Sequence, residues 1–183
     1  MSRFEVKNIE CSRQDNLLFQ DISFQLLDGE LIQVNGVNGS GKSSLMQICA
    51  GLIEAKAGQV LWNDTPIHQC RYVFQADLSY IGHMNGVKDA LTAEENMKVM
   101  HALSGLSKTV DYSAILEQVG LSDMEDILLA RMSAGQKRRL GLTRIFMSTA
   151  KLWLLDEPFN ALDKNGKKII EDRCLPGKTY PSG

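Results

Sequence analysis

Between Leu31 and Gly51 the chain passes from the apolar run "LIQV" through "GVNGSGKSS", Gly36 to Ser44, into "LMQICAGL". This order constrains the fold more than any other feature. It predicts a strand, a glycine-rich loop and a helix for which Gly51 serves as C-cap. Glycines let the loop backbone curl so that its N–H groups face one point, and the helix N-terminus adds the positive end of its dipole. That arrangement binds phosphate. Lys42 can reach the β- and γ-phosphates of a nucleoside triphosphate, and the Ser43 hydroxyl can ligate Mg²⁺. The candidate nucleotide contacts are Gly36, Asn38, Gly39, Ser40, Gly41, Lys42, Ser43 and Ser44. A bare glycine-rich turn is the competing reading, and the strand–loop–helix context disfavours it.

A second motif lies far along the chain. "LWLLDEP" ends an unbroken apolar run, read as a buried strand, with Asp156 and Glu157. Beside a phosphate loop, Asp156 would hold Mg²⁺ through water and Glu157 would polarise the attacking water. Adjacent strand residues point to opposite sides, so the two carboxylates have different jobs. Alone, the pair would read as an acidic strand end.

The remaining chain reads as α/β. "RFEVKNIE" is a strand by the alternation of Phe4, Val6 and Ile9, and Asp28-Gly29 is a hairpin signal. "AGQVLWND" and "LSYIGH" read as further strands. Thr92 and Glu95 form a capping box that opens a helix with Met97, Met100 and Leu103 on one face, expected to pack in a core. "DYSAILEQVGL" and "AGQKRRLGLTRIFMSTA" read as two more helices, the second opened by a capping box of Ser133 and Gln136. Read as an ordinary helix start and nothing more, this segment would make Lys137, Arg138 and Arg139 a solvated basic face, a reading that the motifs displace when taken together.

Composition excludes several classes. The 183 residues are 44% hydrophobic and 23% charged, enough for one domain with a sizeable core. A net charge of −2 gives no electrostatic footprint for nucleic acid. Cys11, Cys49, Cys70 and Cys174 are scattered, which fits reduced thiols better than a metal site or a disulfide framework. No apolar run is long enough to span a bilayer, and "MSRFEVKNIE" lacks the apolar stretch of a signal peptide.

Three features together name a family. They are the phosphate loop, the helix start Met132-Ser-Ala-Gly-Gln136, and "LLDEPFNALD" close behind, with Ser133 standing 23 residues before Asp156. The chain resembles the ATP-binding-cassette (ABC) ATPases over nearly its whole length, to about Arg173. That resemblance implies a P-loop NTPase of the ABC-ATPase fold, with an N-terminal antiparallel β subdomain and an inserted helical subdomain. The nucleotide-binding core is expected at about 1–87 and 131–173, the helical subdomain at about 88–130, and an atypical tail at 174–183. In the family the Ser-x-Gly-Gln helix start faces the γ-phosphate bound by an opposed subunit. Ser133, Gly135 and Gln136 would therefore clamp the nucleotide of a second copy in a homodimer formed on ATP binding. Asn160 to Asp163 matches the loop that crosses that interface.

The position that usually carries a glutamine is instead occupied by His83. Gln75 in "YVFQAD" looks like that glutamine but lies too far upstream of "LTAEEN", whereas His83 precedes Thr92 by nine residues. "GHMNGVKDALTAEEN" and "LWLLDEPFNALD" make the chain similar to one branch, the haem-exporter ATPases of bacterial cytochrome c maturation. A neutral imidazole can bond water at the nucleotide site as an amide does, and it can also titrate near neutral pH. His83 and Glu157 are thus the candidate catalytic residues. Registering on "DISF" places Arg13 where relatives stack an aromatic ring on adenine. An arginine plane could stack there, and a solvent-exposed turn arginine explains the position equally well.

The resemblance implies ATP and Mg²⁺ as ligands and integral membrane subunits of a cytochrome c maturation complex as partners. It implies a peripheral place on the cytoplasmic face of the inner membrane. Alternatives stay open: the ATPase of another small-molecule transporter, or a nucleotide-binding module without turnover. The last arises because "CLPGKTYPSG" shows no strand pattern and no histidine follows Asp163, where the family places a strand and a switch histidine. The C-terminus is therefore expected to be truncated or altered, leaving the phosphate-loop strand with an unpaired edge. A soluble ABC ATPase acting on DNA or ribosomes is disfavoured by the acidic balance and by the lack of a second cassette and of coiled-coil heptads.

Overall fold

A computed structural model of the chain describes residues 2–14, 16–82, 86–104 and 109–156. The described residues form two compact units, one of 2–82 with 149–156 and the other of 86–148.

The first unit is built on an antiparallel sheet. Strands β1 (Arg3–Arg13), β2 (Asn16–Leu27), β3 (Ala57–Trp62) and β4 (Thr65–Pro66) lie in the order β2-β1-β3-β4. Phe4 and Val6 bury by strict alternation, but the next buried residues are Ile9 and Cys11, one step out of phase. The slip is a bulge. Val6 faces Phe24 while Ile9 faces Ile22, and Asn8 takes a φ of 48°. The Ser23 hydroxyl accepts from the Asn8 N–H at 2.8 Å and donates to its side-chain oxygen at 2.9 Å. The extra residue keeps four apolar side chains on one face.

Helix α1 (Lys42–Cys49) follows the phosphate loop and buries Leu45, Ile48 and Cys49 in the same core as Phe4 and Val6. Its end is a Schellman motif. Gly51, at φ 68°, donates to the Ile48 carbonyl and Leu52 to the Gln47 carbonyl. Helix α2 (Arg71–Asp77) is anchored by Phe74, whose ring stacks on Phe4 with centroids 6.3 Å apart. Strands β5 (Leu78–Ile81) and β6 (Leu152–Leu155) pair in parallel. Their ladder is extended at one end by the Lys151 N–H on the Asp77 carbonyl and at the other by the Asp156 N–H on the Ile81 carbonyl.

One sequence expectation fails here. Asp28-Gly29 does turn the chain, with Gly29 at φ 77° and the Glu30 N–H on the Leu27 carbonyl. The run "LIQV" that follows is not a strand, and Leu31 and Ile32 are exposed. A strand needs neighbours for its N–H and C=O groups, and no described strand pairs with 30–37.

The second unit packs α3 (Ala93–Leu103), α4 (Tyr112–Gln118) and α5 (Ala134–Met147) around Met97, Leu116, Val119, Leu129 and Leu140. The capping boxes of Thr92 and Ser133 both form. Met97 and Met100 are buried as expected, but Leu103 is 79% exposed. The buried stripe of Ala93, Asn96, Met97 and Met100 stops before the end of α3, where Ala102 and Leu103 are both exposed. Nor is the start of α5 a solvated basic face: Arg138 is buried, and Lys137 pairs with Asp89 at 2.7 Å. No described helix is long and apolar enough to cross a membrane.

Candidate nucleotide site

The loop from Gly36 to Gly41 is shaped by its own backbone. Gly39 and Gly41 take φ of 83° and 93°, where side chains are strained. At Gly41 a Cβ would also stand 2.9 Å from the Phe19 ring. At Gly36 a Cβ would stand 2.7 Å from the Ser40 hydroxyl, so the loop closes tightly on itself. The Ser40 N–H donates to the Val37 carbonyl at 3.2 Å. Lys42 folds back over this curl, and its Nζ donates to the carbonyls of Gly36 at 2.8 Å and Val37 at 3.0 Å. The ammonium therefore sits at the loop with replaceable oxygen partners.

Ser43, one residue on, donates from Oγ to Oδ1 of Asp156 at 3.2 Å. Asp156 is 3% exposed. The ladder of β5 and β6 delivers this carboxylate to the head of α1. Two hard oxygen donors at this spacing suit Mg²⁺, which is commonly held by one or two carboxylates together with substrate phosphates. Nearby, the Tyr80 phenol is pushed up by burial and by the negative charge of Asp156, with Gln47 pulling it partly back.

The other sequence candidates separate. Arg13 is exposed at the end of β1, at the turn into β2, and pairs across it with Asn16. Gln75 is exposed on α2, upstream of β5. Ser133, Gly135 and Gln136 open α5 in the second unit: the Ser133 Oγ accepts from the Gln136 N–H at 3.2 Å, and the Gln136 Oε1 accepts from the Ser133 N–H at 2.8 Å. His83, Glu157 and the segment Asn160 to Asp163 lie outside the described residues. Tyr80 and Gln47 are polar neighbours of the site that the motifs do not contain. Gln47 could have been suspected from its place four residues after Ser43 on α1.

The family pattern described as ABC transporter matches residues 19–160. The chain belongs to the ABC transporter family. Its ABC relatives include the cytochrome c biogenesis ATP-binding export protein CcmA of Mannheimia succiniciproducens, 44% identical over 172 residues, covering 93% of this chain and 80% of that protein. The protein of the same name from Yersinia pseudotuberculosis is 46% identical over 169 residues, covering 91% and 76%. Among solved structures, a putative ABC transporter ATP-binding protein from Pyrococcus furiosus superposes with a TM-score of 0.81 at 22% identity, covering 94% of this chain and 84% of that one. A second ABC ATP-binding subunit gives 0.80 at 24% identity, covering 94% and 73%. At those identities the structural likeness speaks for the ABC ATPase fold alone.

Proposed function

We propose that this chain is the ATP-binding and hydrolysing subunit of an ABC transport complex serving cytochrome c biogenesis, and that it drives haem export or release. The observation that carries the nucleotide reading is the Ser43–Asp156 bond at 3.2 Å, at the head of the helix whose Lys42 caps the phosphate loop. The biogenesis reading is supported by the names of relatives that match about nine-tenths of the chain. Haem as cargo is drawn from the resemblance carried by Gly82-His83 and "LWLLDEPFNALD".

In this reading Lys42 exchanges the carbonyls of Gly36 and Val37 for phosphate oxygens, and the loop N–H groups hold the remainder. Ser43 and Asp156 would hold Mg²⁺, which when bound offsets the charge on the transferred phosphoryl group. Glu157 positions or deprotonates the attacking water, with His83 bonding water nearby. Arg13 stacks on the base. Ser133, Gly135 and Gln136 of one copy close on the nucleotide of another. Closure and reopening of that homodimer work on integral membrane subunits through the segment around His83, at the cytoplasmic face of the inner membrane.

The direct test is Mg-ATP hydrolysis by the chain beside Glu157→Gln, with nucleotide binding measured on both. Turnover that disappears in the variant while binding persists supports the enzyme reading. Binding without turnover in either protein leaves a nucleotide clamp and sinks the hydrolytic role. Recovery of haem-handling membrane proteins with the tagged chain supports the cargo, and recovery of an unrelated permease would overturn it.

A further inference from the structure

The start of α5 carries Ser133, Gly135 and Gln136, and much of what holds it lies outside the helix. Two segments run antiparallel ahead of it. The Glu94 N–H donates to the Glu125 carbonyl at 3.0 Å, Ala93 to Ile127 at 3.1 Å, Leu129 to Leu91 at 3.0 Å and Ala130 to Asp89 at 3.1 Å. Among the described residues, the Ala130 bond is the last that joins these two segments before the Ser133 cap. On the far side of the cap, Lys137 returns to the same residue: its Nζ donates to Oδ1 of Asp89 at 2.7 Å. Asp89 therefore brackets Ser133 to Gln136, holding Ala130 by its carbonyl and Lys137 by its carboxylate. Asp89 itself stands on a fixed base. The N–H of Lys88 donates to Oδ1 of Asn96 at 2.7 Å, and the Lys88 carbonyl accepts from Nδ2 at 3.0 Å. Asn96 is 2% exposed, so water does not compete for those bonds. About two turns beyond Lys137, Nη2 of Arg144 reaches the Gly86 carbonyl at 3.5 Å. Residues 86–91, which follow His83 in the sequence, are thus tied to α5 at two levels.

We propose that Asp89 is a positioning residue for the contact between copies: through Ala130 and Lys137 it fixes the Ser133–Gln136 helix start to residues 86–91, so that the two move as one body. The inference rests on the reading above in which that helix start closes on the nucleotide of a second copy. A hydrogen bond from the helix start to a phosphate survives a displacement of only about half an ångström, so a start held on one side alone would lose it readily. Asp89 is exposed at its carboxylate, which limits the Lys137 pair to roughly a fivefold effect in each copy. A symmetric dimer contains the pair twice, and the two effects multiply.

The test uses the full chain, Asp89→Asn, Lys137→Met and the double variant. Trinitrophenyl-ATP fluorescence reads nucleotide binding by one copy. Sedimentation with Mg²⁺ and adenylyl imidodiphosphate, which is not hydrolysed, reads the dimer. Each single variant is expected to bind the fluorescent analogue and to unfold in urea as the unaltered chain does. Its dimer should be roughly two- to thirtyfold weaker, the loss of the pair counted twice. The double variant should be no worse than either single one, because both remove the same tie. Unchanged dimerisation would overturn the inference, as would additive losses. A tighter Asp89→Asn dimer would overturn it too, since Lys137 would then be an anion contact that Asp89 restrains. So would a loss that appears only with a lower unfolding midpoint, which marks a merely structural role. If the unaltered chain binds the analogue but stays monomeric, the clamp reading fails and takes this inference with it. If it does not bind the analogue at all, the nucleotide-site reading fails first.

Discussion

The Ser43 hydroxyl donates to the Asp156 carboxylate at 3.2 Å across a separation of 113 positions in the chain. Neither residue is informative alone. The serine opens a helix, and the aspartate ends a strand, as many do. Brought together beside Lys42, they make a two-oxygen set at a phosphate loop. Asp156→Asn keeps the shape and removes the charge. It is expected to lower Mg-dependent turnover roughly 10–100-fold, the usual cost of losing a carboxylate that orients a metal's ligands. Nucleotide binding without Mg²⁺ should survive, since the loop N–H groups and Lys42 remain. Parallel binding titrations with and without Mg²⁺ check this, and equal losses under both conditions would contradict it.

Gly41 carries two independent constraints. Its φ of 93° disfavours any side chain, and a Cβ would press the Phe19 ring at 2.9 Å. Gly41→Ala should therefore destabilise the first unit by about 2–5 kcal/mol, summing backbone strain and overpacking. Gly39 has a similar φ but open space around its Cβ position. Gly39→Ala should lose only the backbone share, about 1–2 kcal/mol. Urea unfolding of the two variants separates these. Equal losses would mean that the Phe19 contact counts for nothing.

What could be read in the sequence was local chemistry. Thr92 with Glu95 and Ser133 with Gln136 are reciprocal bonds over three residues, and both formed where the pattern put them. The same is true of Gly51, whose left-handed turn is set by its own helix. What failed needed a distant partner. "LIQV" has strand composition, yet no described neighbour supplies its ladder. Helix α2 rests on Phe74 meeting Phe4 and Trp62, a contact invisible in "RYVFQAD". The bulge at Asn8 was written in the spacing of Val6 and Ile9, though a simple alternation passes over it. At the site, the loop and Asp156 were legible as motifs. Tyr80 and Gln47 were not, because the fold alone makes them neighbours.

The Ser133 cap offers a cleaner measure of local stability than the loop. Its hydroxyl satisfies the Gln136 N–H, one of the free donors at the head of α5. Ser133→Ala should cost about 1 kcal/mol. Ser133→Gly should cost only a few tenths of a kcal/mol, since glycine suits the cap backbone. Thermal unfolding of both variants tests the order. A Ser133→Ala protein as stable as the parent would show that the capping box contributes nothing net to α5.

Cys49 gives a prediction in pH. Burial pushes its thiol up from 9.0 to about 12. In the unfolded chain the thiol ionises near its ordinary value, whereas in the folded chain it stays protonated. The sign follows from linkage: the contribution is fully present below pH 9 and is lost as pH rises toward about 12. Over that window this group alone removes about 1.4 kcal/mol of stability per pH unit. Denaturant unfolding at pH 8, 9.5 and 10.5 should therefore show a steeper decline for the parent than for Cys49→Ala, which has no thiol to ionise. Native alkylation at pH 8 should spare Cys49 and the buried Cys11 while modifying the half-buried Cys70. Parallel declines for parent and variant, or early labelling of Cys49, would mean that α1 opens to solvent far more readily than its packing against Phe4 and Val6 implies.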